Sequence, residues 1–355
     1  MTPYSRVNAR GFWRPAVAER HMLDITDLWQ PKFPIGREDR ISTYGSCFAQ
    51  HIGAALRGSG FRWFEAEEPP FGLSPENRKR FNYGVFTART GNIYTTTMLL
   101  QWVDWALGHA PVPDEIWEDG GRFQDPFRPA IEPEGFDSVA ELRACRQATL
   151  AAFRRSITQA DVFVFTLGLT ERWINARQGH EYAVCPGTAA GCFDPQAHVF
   201  APLQVAQVLR ALGEAMDKMR AVQPALRFLL TVSPVPLTAT MSGKHVLVAT
   251  MESKSILRTV AGQLAANRDH VDYFPSYEII NAPAFQGVFF DPNKRTVNPA
   301  GVAFVMRQFF AGLGIDPSAP GGSQPPRGTR PGQDATTGAT EILCHEELLD
   351  AFAKR

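Results

Sequence analysis

The chain has 355 residues, 36 basic and 36 acidic side chains, a formal net charge of zero and 44% hydrophobic residues. That is enough apolar material for a sizeable core in one large or two ordinary domains, and the balanced charge offers no global field to draw the chain to nucleic acid or to an anionic membrane. No apolar run reaches the roughly 18 to 20 residues of a membrane span, and the five cysteines, an odd set with no CxxC pair and no signal peptide before them, predict a reduced, cytoplasmic protein without a metal site.

Residues 1–37 are polar and interrupted by Pro3, Pro15, Pro31 and Pro34, with rings at Tyr4, Phe12, Trp13 and Trp29. This reads as an extended segment laid on a body by its aromatics. Next comes Ile41-Ser-Thr-Tyr-Gly45, then Ser46 and Cys47, then an amphipathic run over 48–56. The pattern predicts a strand, a tight turn and a helix. Such a turn sets Ser46 and Cys47 at a helix N-terminus, where unpaired N–H groups and the positive dipole end favour a thiolate and help to hold an oxyanion. An ordinary glycine turn followed by a small buried cysteine fits the same residues.

Residues 61–64 read as a short strand, 65–82 as a Pro-rich loop, and 82–94 as a loop turning at Gly84 and at Gly91-Asn92. Leu99, Trp102, Val103 and Ala106 share one face of a helix over 95–107. Residues 108–136 are an irregular insertion, a substrate-facing lid or a plain connector. A helix over 139–159 runs into the near-continuous apolar stretch 161–167, the mark of a strand buried on both faces. That strand ends in Gly168-Leu-Thr170-Glu171, and strand C-termini are where open α/β sheets gather ligands. A second irregular stretch covers 174–203. Then come a helix over 205–222, a buried strand over 226–232, a loop over 243–249 carrying His245, a helix over 253–267, a strand over 271–274 and a helix over 299–312 capped by Asn298. Residues 315–340 are rich in Pro, Gly, Ser and Thr and read as a disordered linker, with a short helix over 341–355. Strands alternating with helices predict a three-layer αβα sandwich around a mainly parallel sheet.

The motifs Gly45-Ser-Cys-Phe-Ala49, Gly91-Asn-Ile-Tyr-Thr95, Thr166-Leu-Gly-Leu-Thr-Glu171, Thr231-Val-Ser-Pro-Val235 with Ser253-Lys-Ser255, and Tyr273-Phe-Pro-Ser-Tyr-Glu278 occur in this order. Over roughly residues 38–312 the chain therefore resembles the GSCFA domain family, which is itself similar to the SGNH (GDSL-like) hydrolases. The resemblance implies an SGNH/flavodoxin-like domain over 38–314. It also implies a nucleophile at Cys47, with Ser46 in the aspartate position of the GDS turn, or else at Ser46. Acetyltransferases of capsular polysaccharides with a GNC turn look similar here, which implies acyl transfer through a thioester. Gly84 or Gly91, Asn92 and Thr170 fall where oxyanion donors are expected. The loop that carries an Asp and a His in those hydrolases reads Asp291-Pro-Asn-Lys-Arg-Thr296 and holds no histidine.

A nucleophile of this kind calls for a base within hydrogen-bond reach. His245 is the leading substitute because it follows a strand and would sit on the same rim as Cys47, ahead of His51 one helical turn beyond Cys47, and of His180 and His198 in the irregular stretch. Glu171 can orient a histidine, act as acid or base, or serve the helix dipole. Lys254 and Arg258, at the opening of the predicted 253–267 helix, suit a phosphate or carboxylate of an acyl donor, or a solvated face. The expectation is an SGNH-like acyl esterase or O-acyltransferase for a glycan or related acylated substrate, working without a resident cofactor and with a donor such as acetyl-CoA. The alternative is a catalytically degenerate module on the same fold that binds a carbohydrate or a carrier.

Overall fold

The computed structural model describes residues 2–315 and 345–353. Strand β1 (Ile41–Gly45) feeds α1 (Phe48–Gly58). Helices α2 (Pro75–Arg80) and α3 (Thr96–Leu107) follow, then a hairpin of β2 (Trp117–Asp119) and β3 (Arg122–Gln124), α4 (Val139–Thr158) and β4 (Val162–Leu167). Three short strands, β5 (Trp173–Asn175), β6 (Glu181–Tyr182) and β7 (His198–Phe200), precede α5 (Val205–Val222), β8 (Arg227–Val232), α6 (Val246–Asn267), β9 (Val271–Tyr273), α7 (Ser276–Asn281) and α8 (Pro299–Gly312).

The central sheet has four parallel strands in the order β1-β4-β8-β9. On the free side of β1, Trp63 makes a single parallel bridge to Ile41, so the strand expected over 61–64 survives as one bridge held by Ile41 N–H on the Arg62 carbonyl and Phe64 N–H on the Ile41 carbonyl. Counting that bridge, the chain order across the sheet is 2-1-3-4-5, and the order reverses between β1 and β4. In open α/β sheets that reversal opens a crevice at the strand C-termini, the usual seat of a ligand.

Successive side chains of a strand point to opposite faces, and β4 shows what this does. Val162 and Val164 join a core with α1 and α8, while Phe163, Phe165 and Leu167 join a second core with α3, α4, α5 and α6. All six residues of β4 are buried, which is why it lacks polar alternation. Helices on both faces make the three layers.

Several expectations change. Residues 3–24 form short 3-10 and π turns rather than an extended strap, and the extended reading holds only for the irregular stretch 25–37; Pro3 and Pro15 stand in the first two positions of their turns with a preset φ. Trp29 anchors the segment, stacked on Phe309 at 5.4 Å, and Phe33 packs against the same core, whereas Tyr4 and Trp13 are each 71% exposed. The stretch 174–203 is not irregular throughout: β6, β5 and β7 form an antiparallel sheet with β5 at its centre, from strands too short to show a period. Helix α6 starts at Val246 instead of 253 because the His245 side chain caps it, Nδ1 accepting from Leu247 N–H at 3.2 Å. The predicted linker lies outside the described residues. Of the predicted C-terminal helix, His345–Phe352 is described and forms 3-10 turns.

Candidate active site

The turn after β1 is built by close backbone approach. Gly45 has φ +130°, and a Cβ there would lie 2.2 Å from the Thr166 carbonyl oxygen, so no other residue fits without moving β4. Across the crevice Gly168 is less tightly constrained: a Cβ there would lie 3.0 Å from the Tyr94 carbonyl oxygen and 3.1 Å from Ser46 Cβ, so that a side chain would need a small shift of its neighbours. Backbone bonds lock three segments together: Ser46 N–H to Thr166 O (3.0 Å), Ile93 N–H to Gly45 O (2.8 Å) and Gly168 N–H to Tyr94 O (3.0 Å). The result sets Cys47 as the cap residue of α1.

Helix α6 closes the crevice from the other side with two consecutive residues. Ser253 Oγ accepts the Thr170 N–H at 3.0 Å, and Lys254 Nζ donates to the Gly168 carbonyl at 2.6 Å. Lys254 is only 2% exposed. Its ammonium end meets a cleft of about 10 Å³, room for about one water, lined among others by Ser46, Cys47, Tyr94, Gly168, Ser233 and Lys254. No carboxylate and no histidine is among the described lining residues. The Ser46 hydroxyl is buried with no hydrogen-bond partner among the described residues. Behind the cleft, Gln50 Nε2 donates to Asn92 Oδ1 and Asn92 Nδ2 donates to the Tyr94 hydroxyl, each at 3.1 Å. This relay ties the position of Tyr94 to α1.

The structure therefore brings together Ser46, Cys47 and Lys254 and separates other candidates from them. His245 is exposed and caps α6 through Nδ1, so its ring is committed away from the cleft. His51 packs edge-on against Phe48 at 5.5 Å, and burial lowers its pKa to about 4, leaving a neutral ring that accepts a proton poorly at neutral pH. His180 pairs with Glu115 at 2.8 Å, and His198 Nδ1 accepts from Asp194 N–H; both serve the antiparallel sheet. Gly84 receives Arg57 Nη2 on its carbonyl at 3.0 Å. Arg57 is ten residues along α1 from Cys47, about 15 Å by helical rise, so Gly84 stands at the wrong end of the helix for an oxyanion role.

Gly91, Asn92 and Thr170 are not among the described residues that line the cleft; the backbone of Thr170 gives its N–H to Ser253 and takes the Leu203 N–H on its carbonyl. Glu171 opens onto a neighbouring cavity, where it accepts from Thr240 Oγ1 at 2.5 Å and burial raises its pKa. Arg258 pairs with Glu278 and stacks on Tyr273, 4.0 Å from its ring centre, and is not among the described residues that line the cleft. Tyr94 and Ser233 were not singled out in the sequence, although both sit inside the ordered motifs, Gly91-Asn-Ile-Tyr-Thr95 and Thr231-Val-Ser-Pro-Val235. Among the described residues no group of three or more His, Cys, Asp or Glu side chains is placed to hold a metal ion, and no helix is long and apolar enough to cross a membrane.

Comparison with known proteins agrees with this frame. No curated protein and no solved structure matches the sequence. The sequence model of the GSCFA family matches residues 40–309, a span that runs from β1 through most of α8 and takes in every residue lining the cleft. The chain belongs to the GSCFA family.

Proposed function

We propose that this protein is an acyl esterase or O-acyltransferase of the SGNH kind, carrying the acyl group as a thioester on Cys47, with a glycan or related hydroxyl compound as acyl partner. The observation that carries this reading is that Cys47, at the start of α1, and Lys254, buried in α6, line one cleft at the sheet's order reversal. An ammonium and a helix N-terminus beside a thiol both favour the thiolate. Lys254 thus takes the place that a histidine holds in other hydrolases of this shape, and thiols depend less on a base than hydroxyls do.

The chemistry balances with these groups alone. The Cys47 thiolate attacks the donor's carbonyl carbon, an S–C bond forms, and the C–O or C–S bond to the leaving group breaks as the Lys254 ammonium gives that group its proton. Neutral Lys254 then takes a proton from water or an acceptor hydroxyl, whose oxygen attacks the thioester and restores the thiolate. The Ser46 hydroxyl, on the cleft wall, is the donor offered to the developing oxyanion.

A panel of labelled acyl donors tests this. Wild type transfers or hydrolyses at least one of them, and Cys47→Ala lowers that turnover more than about a hundredfold; unchanged turnover in the variant overturns the nucleophile assignment. A second reading, a binding module that has lost catalysis, is favoured by the volume of the cleft, about 10 Å³, which admits little beyond a water. Alkylation rates separate the two: the enzyme reading expects Cys47 to react faster at pH 7 than free cysteine, the binding reading no faster.

A further inference from the structure

The cleft is not isolated. A second cavity of about 320 Å³ abuts it and shares three of its walls, Tyr94, Leu169 and Leu237. Its other walls come from distant parts of the chain: Met98 of α3, Trp173 and Phe200 of the antiparallel sheet, Met241 of the loop before α6, and Leu349 and Phe352 of the C-terminal turns. The surface is mainly apolar, and its charged groups are already engaged. Glu181 is 2% exposed and accepts from Thr95 Oγ1 and Thr97 Oγ1, with Arg172 Nη1 at 3.4 Å, and Glu171 accepts from Thr240.

We propose that this cavity holds the hydrocarbon chain of the acyl group carried on Cys47, a linear chain of about eight carbons or more, so that the substrate is a medium- or long-chain acyl ester or thioester rather than an acetyl one. This rests on the assignment of Cys47 as nucleophile. A volume of about 320 Å³, about thirty times that of the one-water cleft, is far more than an acetyl group fills and has room for such a chain. A sugar is a poor occupant, because its hydroxyls would lose water without gaining partners on these walls. An acyl chain loses nothing there, and each buried methylene favours it by about fourfold (about 0.8 kcal/mol). The shared walls explain the one-water cleft: it has to admit only the carbonyl, while the bulk of the substrate enters next door.

The test has a binding arm and a turnover arm. In the binding arm, bromine-labelled decanoic acid is titrated into full-length Cys47→Ala, with Trp173 fluorescence as readout and Trp173→Phe as control. The expected result is saturable one-to-one quenching that is lost in the control and weakened at least tenfold by Ala239→Trp or Val184→Phe, which fill the cavity from walls the cleft does not share. In the turnover arm, 4-nitrophenyl esters of two to sixteen carbons are given to wild type. Here kcat/KM rises about fourfold per methylene to a maximum at eight carbons or more, and the two filling variants move the maximum to four carbons or fewer. No binding of decanoate, or a profile that does not change with chain length, overturns the assignment of the cavity. Decanoate binding without ester turnover supports the cavity and overturns the role of Cys47.

Discussion

The proposed chemistry depends on Lys254, because this buried residue and Cys47 line the same cleft. Lys254→Met should therefore move the pH midpoint of Cys47 alkylation upward by one unit or more, about 1.4 kcal/mol of lost thiolate preference, and lower acyl turnover at least tenfold. Lys254→Arg should keep the alkylation midpoint low but lose turnover, since guanidinium does not give up its proton. An unchanged midpoint in the Met variant contradicts the pairing.

Ser46 makes the complementary prediction. Removing a buried hydroxyl that has no partner exposes no orphan, so Ser46→Ala should change unfolding free energy by less than about 1 kcal/mol while lowering turnover through loss of an oxyanion donor. His245→Ala should leave both alkylation and turnover unchanged and cost about 1 kcal/mol or less as a lost cap. At Gly45 the demand is steric, and Gly45→Ala should cost more than about 3 kcal/mol in a denaturant melt, because the Cβ has only the Thr166 carbonyl to displace.

At the scale of elements, α1 carries a pH response. Burial lowers the pKa of His51 from 6.5 to about 4, so between those values the unfolded chain binds a proton that the folded chain refuses. Stability therefore rises with pH through this window and is lost on acidification from pH 6.5 toward 4. His51→Gln should remove that part of the acid sensitivity, on the order of 2 kcal/mol across the window, as read from denaturant melts at pH 7, 5.5 and 4.5. A slope identical in wild type and variant contradicts it.

Elements also show where sequence reasoning works. The buried strands at 162–167 and 227–232 and the helix at 205–222 stand where their composition puts them, because burial on both faces or on one stripe leaves a strong apolar pattern. Strands β5, β6 and β7 carry no such pattern, since two or three residues show no period. The start of α6 was hidden by a cap made from a histidine side chain, and with it the place of Lys254, which lies in the body of the helix facing the crevice rather than at its opening.

For the whole molecule, family membership and the three-layer sandwich were legible in the ordered motifs and in the alternation of strands with helices. The turn at Gly45, Ser46 and Cys47 was legible too, since a strand, a glycine and an amphipathic run carry their own signal. The basic residue of the cleft was not. The histidine favoured from its loop position is a helix cap, and the residue that lines the cleft is a lysine of α6, bonded to the Gly168 carbonyl just past the end of β4. Nor was the apolar cavity, because its walls are drawn from α3, the antiparallel sheet, the loop before α6 and the C-terminal turns, segments related only in three dimensions.

Whether Cys47 carries an acyl group is read by rapid-quench peptide mass spectrometry. Full-length protein is mixed with an octanoyl ester, quenched in acid within the first turnovers and digested. The account predicts an octanoyl adduct on the peptide containing Cys47, released by hydroxylamine at neutral pH as a thioester should be and absent from Cys47→Ala. Turnover with the adduct on Ser46, or turnover with no adduct on this peptide at all, would contradict it.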